Sequence, residues 1–118
     1  MLAGLLLTDA MAIAQAPAAA APTGNSGNGK LLFSRNGCYQ CHGWGGQGGV
    51  AGARIAATIL SWQGFSRYVR RPTATMPSYS DRLMSDQELA DVYAYIKSLP
   101  GPRPVKDIPL LNQLTNEK

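Results

Sequence analysis

The chain has 118 residues, of which 45% are hydrophobic and 15% are charged, and its formal net charge is +4 at pH 7. This length allows one small domain, and basic residues without a matching motif argue against a nucleic-acid-binding protein. A basic surface favours an acidic protein partner or an anionic membrane face instead.

The N-terminal segment, residues 1–16, is predicted to be a secretory signal peptide, which would make the mature protein periplasmic. It is almost entirely small or apolar, but no Lys or Arg precedes the apolar run and Asp9 interrupts it. The segment therefore fits a leader truncated at its start. An uncleaved membrane anchor is the alternative, against which Asp9 and the prolines argue, since a span needs about 18 consecutive apolar residues.

The next segments divide by composition. Residues 17–28 are rich in Ala, Pro, Gly, Ser and Asn and predict a flexible linker. A short helix is predicted over residues 29–36, ended by Gly37. The folded domain is assigned to residues 29–100 and a proline-containing tail to residues 101–118.

The pentapeptide Cys38-Tyr39-Gln40-Cys41-His42 contains both cysteines and the only histidine. It is typical of a c-type haem attachment site, in which two thiols bond to the haem and the histidine ligates the iron. A structural zinc would need four protein ligands, more than this pentapeptide supplies. A redox dithiol is the remaining alternative, although it would be expected in a βαβ context.

The glycine-rich residues 43–52 predict a loop. They form either a loop that approaches another group closely, such as the edge of a haem, or an exposed flexible loop.

Two further helices are predicted. Ser61 would cap the first, which runs to Arg71 and carries Trp62, Phe65, Tyr68 and Val69 on its apolar face. Arg67, Arg70 and Arg71 form its other side, either as a solvated face or as a docking patch. Ser85-Asp86-Gln87-Glu88 is a capping box for the last helix, whose core side carries Leu89, Val92, Tyr93 and Ile96 before Pro100 ends it.

A methionine lies in the loop between these two helices. Met76, followed by Pro77, is either a filler of the core or, beside a haem motif, a candidate sixth ligand to the iron. Met84 is the rival, but it lies just before a helix cap and lacks the proline.

The order of these elements resembles the class I c-type cytochromes, the small monohaem electron carriers. The resemblance implies an all-α, small single-domain fold of three to five helices around one covalently attached haem c. Its thioethers would form at Cys38 and Cys41, and its iron ligands would be His42 and Met76. Gly29 and Phe33 match one half of the family's crossing of first and last helix, and Val92 and Tyr95 match the other half.

One departure from the family concerns the proximal histidine. The family often has Gly-Pro-x-Leu after the haem site, and the carbonyl of its proline accepts a hydrogen bond from the imidazole. Here Gly52-Ala53-Arg54-Ile55 stands at that place. The resemblance implies that the Ala53 carbonyl takes this role without the rigidity of proline.

The resemblance implies a periplasmic one-electron carrier rather than an enzyme, working between a dehydrogenase or respiratory complex and an acceptor. Its partners would be redox proteins with acidic docking surfaces. One alternative is a haem subunit of a larger dehydrogenase complex. Another, if Met76 does not ligate, is a five-coordinate sensor or a peroxidase-like protein, although no second histidine supports peroxidase chemistry.

Overall fold

The computed structural model of the chain describes residues 20–115, so the predicted signal peptide lies outside the described residues. The described backbone forms helices and loops without a strand, which confirms the all-α prediction. In chain order the elements are α1 (Ser26–Arg35), α2 (Cys38–His42), α3 (Trp62–Arg70), α4 (Asp86–Ser98), a 3-10 turn (Val105–Asp107) and α5 (Pro109–Thr115). No helix within residues 20–115 has the length and hydropathy needed to cross a membrane.

The first helix begins earlier than predicted, at Ser26 instead of residue 29. The Asn25 side chain caps it by accepting a hydrogen bond from the backbone N–H of Asn28 at 3.0 Å. The backbone N–H of Asn25 also donates to the Asp91 carboxylate at 2.7 Å. Asn25 and Asp91 are 66 positions apart in the chain, so this hydrogen bond anchors the start of the helix to a distant segment. The last residues of the predicted flexible linker are therefore helical and anchored.

The caps of α3 and α4 are those that the sequence predicts. The Ser61 hydroxyl accepts a hydrogen bond from the Gly64 N–H at 3.2 Å. Ser85 and Glu88 form the reciprocal capping box, with the Ser85 N–H donating to the Glu88 carboxylate at 2.8 Å. Because each cap satisfies N–H groups that the helix leaves unpaired, both starts are set locally.

The core of the domain forms where α1 crosses α4. Gly29 is buried, and a Cβ atom at this position would overlap the backbone carbonyl of Asp91. Phe33 packs edge-to-face on Tyr95, with ring centroids 5.5 Å apart. The predicted close crossing is therefore confirmed. The largest fully buried side chains of the core are Phe33, Met84, Leu89 and Ile96.

The aromatic face of α3 is only partly in this core. Phe65 and Val69 are buried as predicted, whereas Tyr68 is 42% exposed and its hydroxyl lies 3.1 Å from that of Thr73. A tyrosine at the edge of an apolar face can bury its ring and keep its hydroxyl at the surface. The helical spacing of apolar residues does not indicate which tyrosine does so.

The Asp91 carboxylate makes folding stability depend on pH. Its pKa lies below its usual range because it accepts hydrogen bonds from the Asn25 N–H and the Asn28 side-chain amide. A carboxyl with a lower pKa in the folded state stabilises the protein above its unfolded pKa of about 3.9. That contribution is lost as pH falls through the folded pKa.

Asp91→Asn is therefore expected to lower the free energy of unfolding by about 2 kcal/mol at neutral pH. Denaturant unfolding of wild type and variant at a series of pH values would measure the difference, which should shrink below about pH 4 as the wild-type carboxylate is protonated. A difference that is the same at pH 7 and pH 3 would contradict this account.

Candidate haem site

The site begins at the junction of α1 and α2. Gly37 takes the left-handed conformation, with φ of 74°, and so lets α2 start with only two residues between it and the end of α1. Cys38 and Cys41 then stand three positions apart on one helical turn, which places them on the same face. Both thiols are free, with Cys38 half-buried and Cys41 exposed. The pair can therefore bond to one group lying along this face.

The His42 imidazole is held by a backbone carbonyl. Its Nδ1 lies 2.7 Å from the Ala53 carbonyl oxygen. A carbonyl can only accept a hydrogen bond, so Nδ1 is the protonated nitrogen and donates. In the neutral imidazole, Nε2 consequently carries the lone pair that a metal ligand needs. The expected hydrogen bond is thus formed although alanine replaces the usual proline.

The glycine-rich loop brings Ala53 to this position. A Cβ atom at Gly52 would lie 2.8 Å from the Cys41 carbonyl oxygen, so the loop passes directly against α2. The Gly48 N–H donates to the His42 carbonyl at 2.8 Å. The Gly46 carbonyl accepts from the N–H groups of Ile55 and Ala56, both at 2.9 Å. The loop is therefore hydrogen-bonded to the segments on both sides of it, and the group it approaches closely is the backbone of the haem motif.

The environment of Cys38 does not suit a redox dithiol. Burial raises the pKa of this thiol, although a hydrogen bond with the Tyr79 side chain partly offsets the effect. A nucleophilic thiol in a disulfide exchange protein usually has a lowered pKa, because the thiolate is the reactive form. The described residues also form no strand, so they lack the βαβ context expected of a redox dithiol.

Tyr79 is a residue of the site that the sequence analysis did not single out. Its hydroxyl donates to the Asn36 carbonyl at 2.8 Å, next to Cys38. Its backbone N–H donates to the Val69 carbonyl at 3.1 Å. Tyr79 therefore ties the segment after Met76 to the segment before Cys38. The sequence feature that could have indicated this role is a tyrosine shortly after the Met76-Pro77 pair, because buried tyrosines usually find a hydrogen-bond partner.

The two candidate methionines lie in different surroundings. Met84 is only 2% exposed and is an integral part of the core. Met76 is half-buried, and it packs against the edge of the same apolar cluster that Cys38 and Ile55 contact. The structure thus brings Met76 and the attachment motif to a common cluster, while the burial of Met84 accounts for that residue as a core side chain.

The two free thiols on one face of α2 and the His42 ring held through Nδ1 fit a covalently attached haem. Among the described helices the backbone of α2 lies close to α1 and that of α3 lies close to α4, whereas the backbones of α2 and α3 do not approach each other closely. Apolar side chains just before and within α3 are exposed, with Ile59 at 97% and Leu60 at 47%. Leu60 and Tyr68 also line one open groove. Isolated exposed side chains are common, but adjacent apolar ones along a groove make it a candidate contact surface.

A protein-family model described as "Cytochrome C oxidase, cbb3-type, subunit III" matches residues 25–96, which is more than half of the chain. The match contains α1 through most of α4, together with the attachment motif and Met76. No match was found among curated proteins or among solved structures.

Proposed function

Because the chain belongs to the c-type cytochrome family described as cytochrome c oxidase, cbb3-type, subunit III, and such a domain carries a covalently attached haem c, we propose that it is a periplasmic one-electron carrier. In this proposal Cys38 and Cys41 hold the haem, and His42 and Met76 are the axial ligands. Bound haem supplies the chemistry, a one-electron change of its iron between the ferric and ferrous states.

The hydrogen bond from His42 Nδ1 to the Ala53 carbonyl is the observation that carries this proposal. It selects the tautomer in which Nε2 can bind a metal, and it restricts rotation of the ring. A carbonyl partner also makes the imidazole a more basic ligand. A histidine acting as a general acid or base would instead need a substrate within hydrogen-bond reach.

Met76 is the second ligand in the proposal. This assignment is supported by the position of Met76, which is half-buried beside the apolar cluster that Cys38 also contacts. A thioether ligand raises the reduction potential relative to harder ligands. With both axial positions occupied by the chain, the protein would transfer electrons and would not bind a substrate at the iron, so we propose that it is not an enzyme.

The proposed partners are redox proteins with acidic docking surfaces. Arg67 on α3 and Arg71 just after its end are exposed, and they line one groove with Leu60 and Tyr68. Positive side chains around an apolar groove suit a negatively charged partner, because opposite charges accelerate the encounter.

Optical spectra test the ligand set. Wild type with attached haem is expected to show a sulfur-to-iron band and to bind carbon monoxide slowly or not at all. Met76→Ala should lose the band, bind carbon monoxide rapidly and lower the reduction potential by about 0.1 V or more, within the roughly 0.8 V over which axial ligands set it. Met84→Leu, a volume-conserving change in the core, is the matched control and should keep the band.

High-spin iron that binds carbon monoxide at once in wild type would contradict the carrier proposal and favour a sensor or peroxidase-like protein. Loss of the band in Met84→Leu but not in Met76→Ala would move the ligand to Met84.

A haem subunit of a larger complex is the second candidate, because the matching family model is named for a subunit of an oxidase. Native extraction and sizing would distinguish it from a free carrier, which would elute at the 12.5 kDa of the chain or less.

A further inference from the structure

Arg70 is not part of the exposed basic face of α3, although the sequence places it there with Arg67 and Arg71. Its side chain is only 19% exposed. Its Nη1 donates to the carbonyl oxygens of Tyr79 at 2.9 Å and Met84 at 2.7 Å. Its Nη2 donates to the Asp86 carboxylate at 2.7 Å.

These contacts close the loop that contains Met76. The loop leaves the end of α3 at Arg71 and returns to the last turn of the same helix at Tyr79. Two hydrogen bonds make the return, one from the Tyr79 N–H to the Val69 carbonyl and one from Arg70 to the Tyr79 carbonyl. Because the guanidinium also bonds Met84, one side chain holds both the loop and the segment leading into α4.

The backbone inside this loop is strained. Ala74 has φ of 59°, in the left-handed region, which costs an L-residue other than glycine free energy. Such a conformation persists only when the surrounding structure determines it. Within the described loop, the two hydrogen bonds that fix Tyr79 to the end of α3 constrain the backbone just beyond Met76 and Pro77.

We propose that Arg70 is a positioning residue for the distal ligand, which holds the Met76 loop closed and limits how often the thioether leaves the iron. This inference rests on the proposed ligation by His42 and Met76. The guanidinium acts through the Tyr79 carbonyl, without touching the cofactor itself. A planar fork with several donors suits this task better than an ammonium group, which cannot satisfy the two carbonyls and the carboxylate in one fixed geometry.

The rate of carbon monoxide binding to the ferrous protein tests the proposal, because the gas can bind only after the thioether departs. Arg70→Gln is expected to increase this rate by about tenfold or more, which corresponds to about 1.4 kcal/mol. Arg70→Lys, which keeps the charge but not the fork, should give an intermediate rate. The sulfur-to-iron band of both variants should disappear at a lower temperature than that of wild type.

Two controls separate this role from charge and from general stability. Arg82→Gln removes the same charge from an exposed position of the same segment and should change the rate by no more than about twofold. Asp91→Asn lowers global stability through the loss of its hydrogen bonds to Asn25 and Asn28 at the start of α1, and it should leave the rate unchanged.

Arg70→Gln with a wild-type rate would overturn the inference, and so would an equal acceleration in Asp91→Asn. If Arg70→Gln does not yield folded protein with haem, a wild-type rate in Arg70→Lys would overturn it in the same way. Failure of the proposed ligation is distinguishable, since wild type itself would then lack the band and bind carbon monoxide at once. That result would overturn both proposals.

Discussion

The double variant Cys38→Ser with Cys41→Ser, which cannot attach haem, is expected to be largely unfolded and to lose most of its helical circular dichroism. The physical reason is that α2 packs only on α1 and α3 only on α4 among the described helices, so the protein itself joins these two pairs chiefly through the α1–α4 crossing. A cofactor bound only by the folded form stabilises that form, and a small domain with little core depends on such help.

Wild-type chain produced without the haem attachment machinery is the matched control for the two serine substitutions. It should be as unfolded as the double variant, because both lack haem. Native-like helical circular dichroism in either haem-free chain would contradict the expectation. A folded haem-free wild type beside an unfolded double variant would instead assign the effect to the serines.

Gly29→Ala is expected to lower the free energy of unfolding of the haem-loaded protein by about 3 kcal/mol or more, at or above the upper end of overpacking effects. The added methyl would overlap the Asp91 carbonyl of α4 and approach the Tyr95 Cβ atom at 2.9 Å. Backbone atoms of a helix cannot rotate away, so α1 and α4 must separate. Such a separation would also strain the hydrogen bond between the Asn25 N–H and the Asp91 carboxylate.

Denaturant unfolding would measure the loss, and Gly27→Ala is the matched control in the same helix. Gly27 is exposed, and its added methyl would meet only the Asn25 side chain, at 3.2 Å. Its effect should stay within about 1 kcal/mol, the scale of the difference in helix propensity between glycine and alanine. Equal losses in the two variants would contradict the close crossing as the cause.

Part of the fold could be predicted from the sequence, and part of it could not. The crossing at Gly29 was expected from the resemblance, since a small residue in the first helix faces aromatic and branched residues in the last. The start of α1 was not, because besides the local cap by Asn25 it is anchored by the Asp91 carboxylate, 66 positions away in the chain. No local pattern near Asn25 indicates that distant carboxylate.

The site divides in the same way. The pentapeptide from Cys38 to His42 identifies its chemistry directly, because spacing and residue type are local properties. The resemblance implied that the Ala53 carbonyl would accept a hydrogen bond from His42, and the structure shows this bond at 2.7 Å. Tyr79 and Arg70 were not recognised, since their roles depend on backbone carbonyls, which are present at every residue and leave no mark in a sequence.

The sequence by itself determined the haem motif and the capped starts of α3 and α4, because thiol spacing and capping side chains act within a few residues. The all-helical class was what the resemblance to the c-type cytochromes implied. Only the tertiary structure decided which α3 arginine turns inward, which methionine is buried in the core and how the glycine-rich loop reaches His42. Those outcomes depend on hydrogen bonds and packing between residues far apart in the chain. The local sequence allows several backbone and side-chain arrangements equally, and one guanidinium or one missing Cβ atom selects among them.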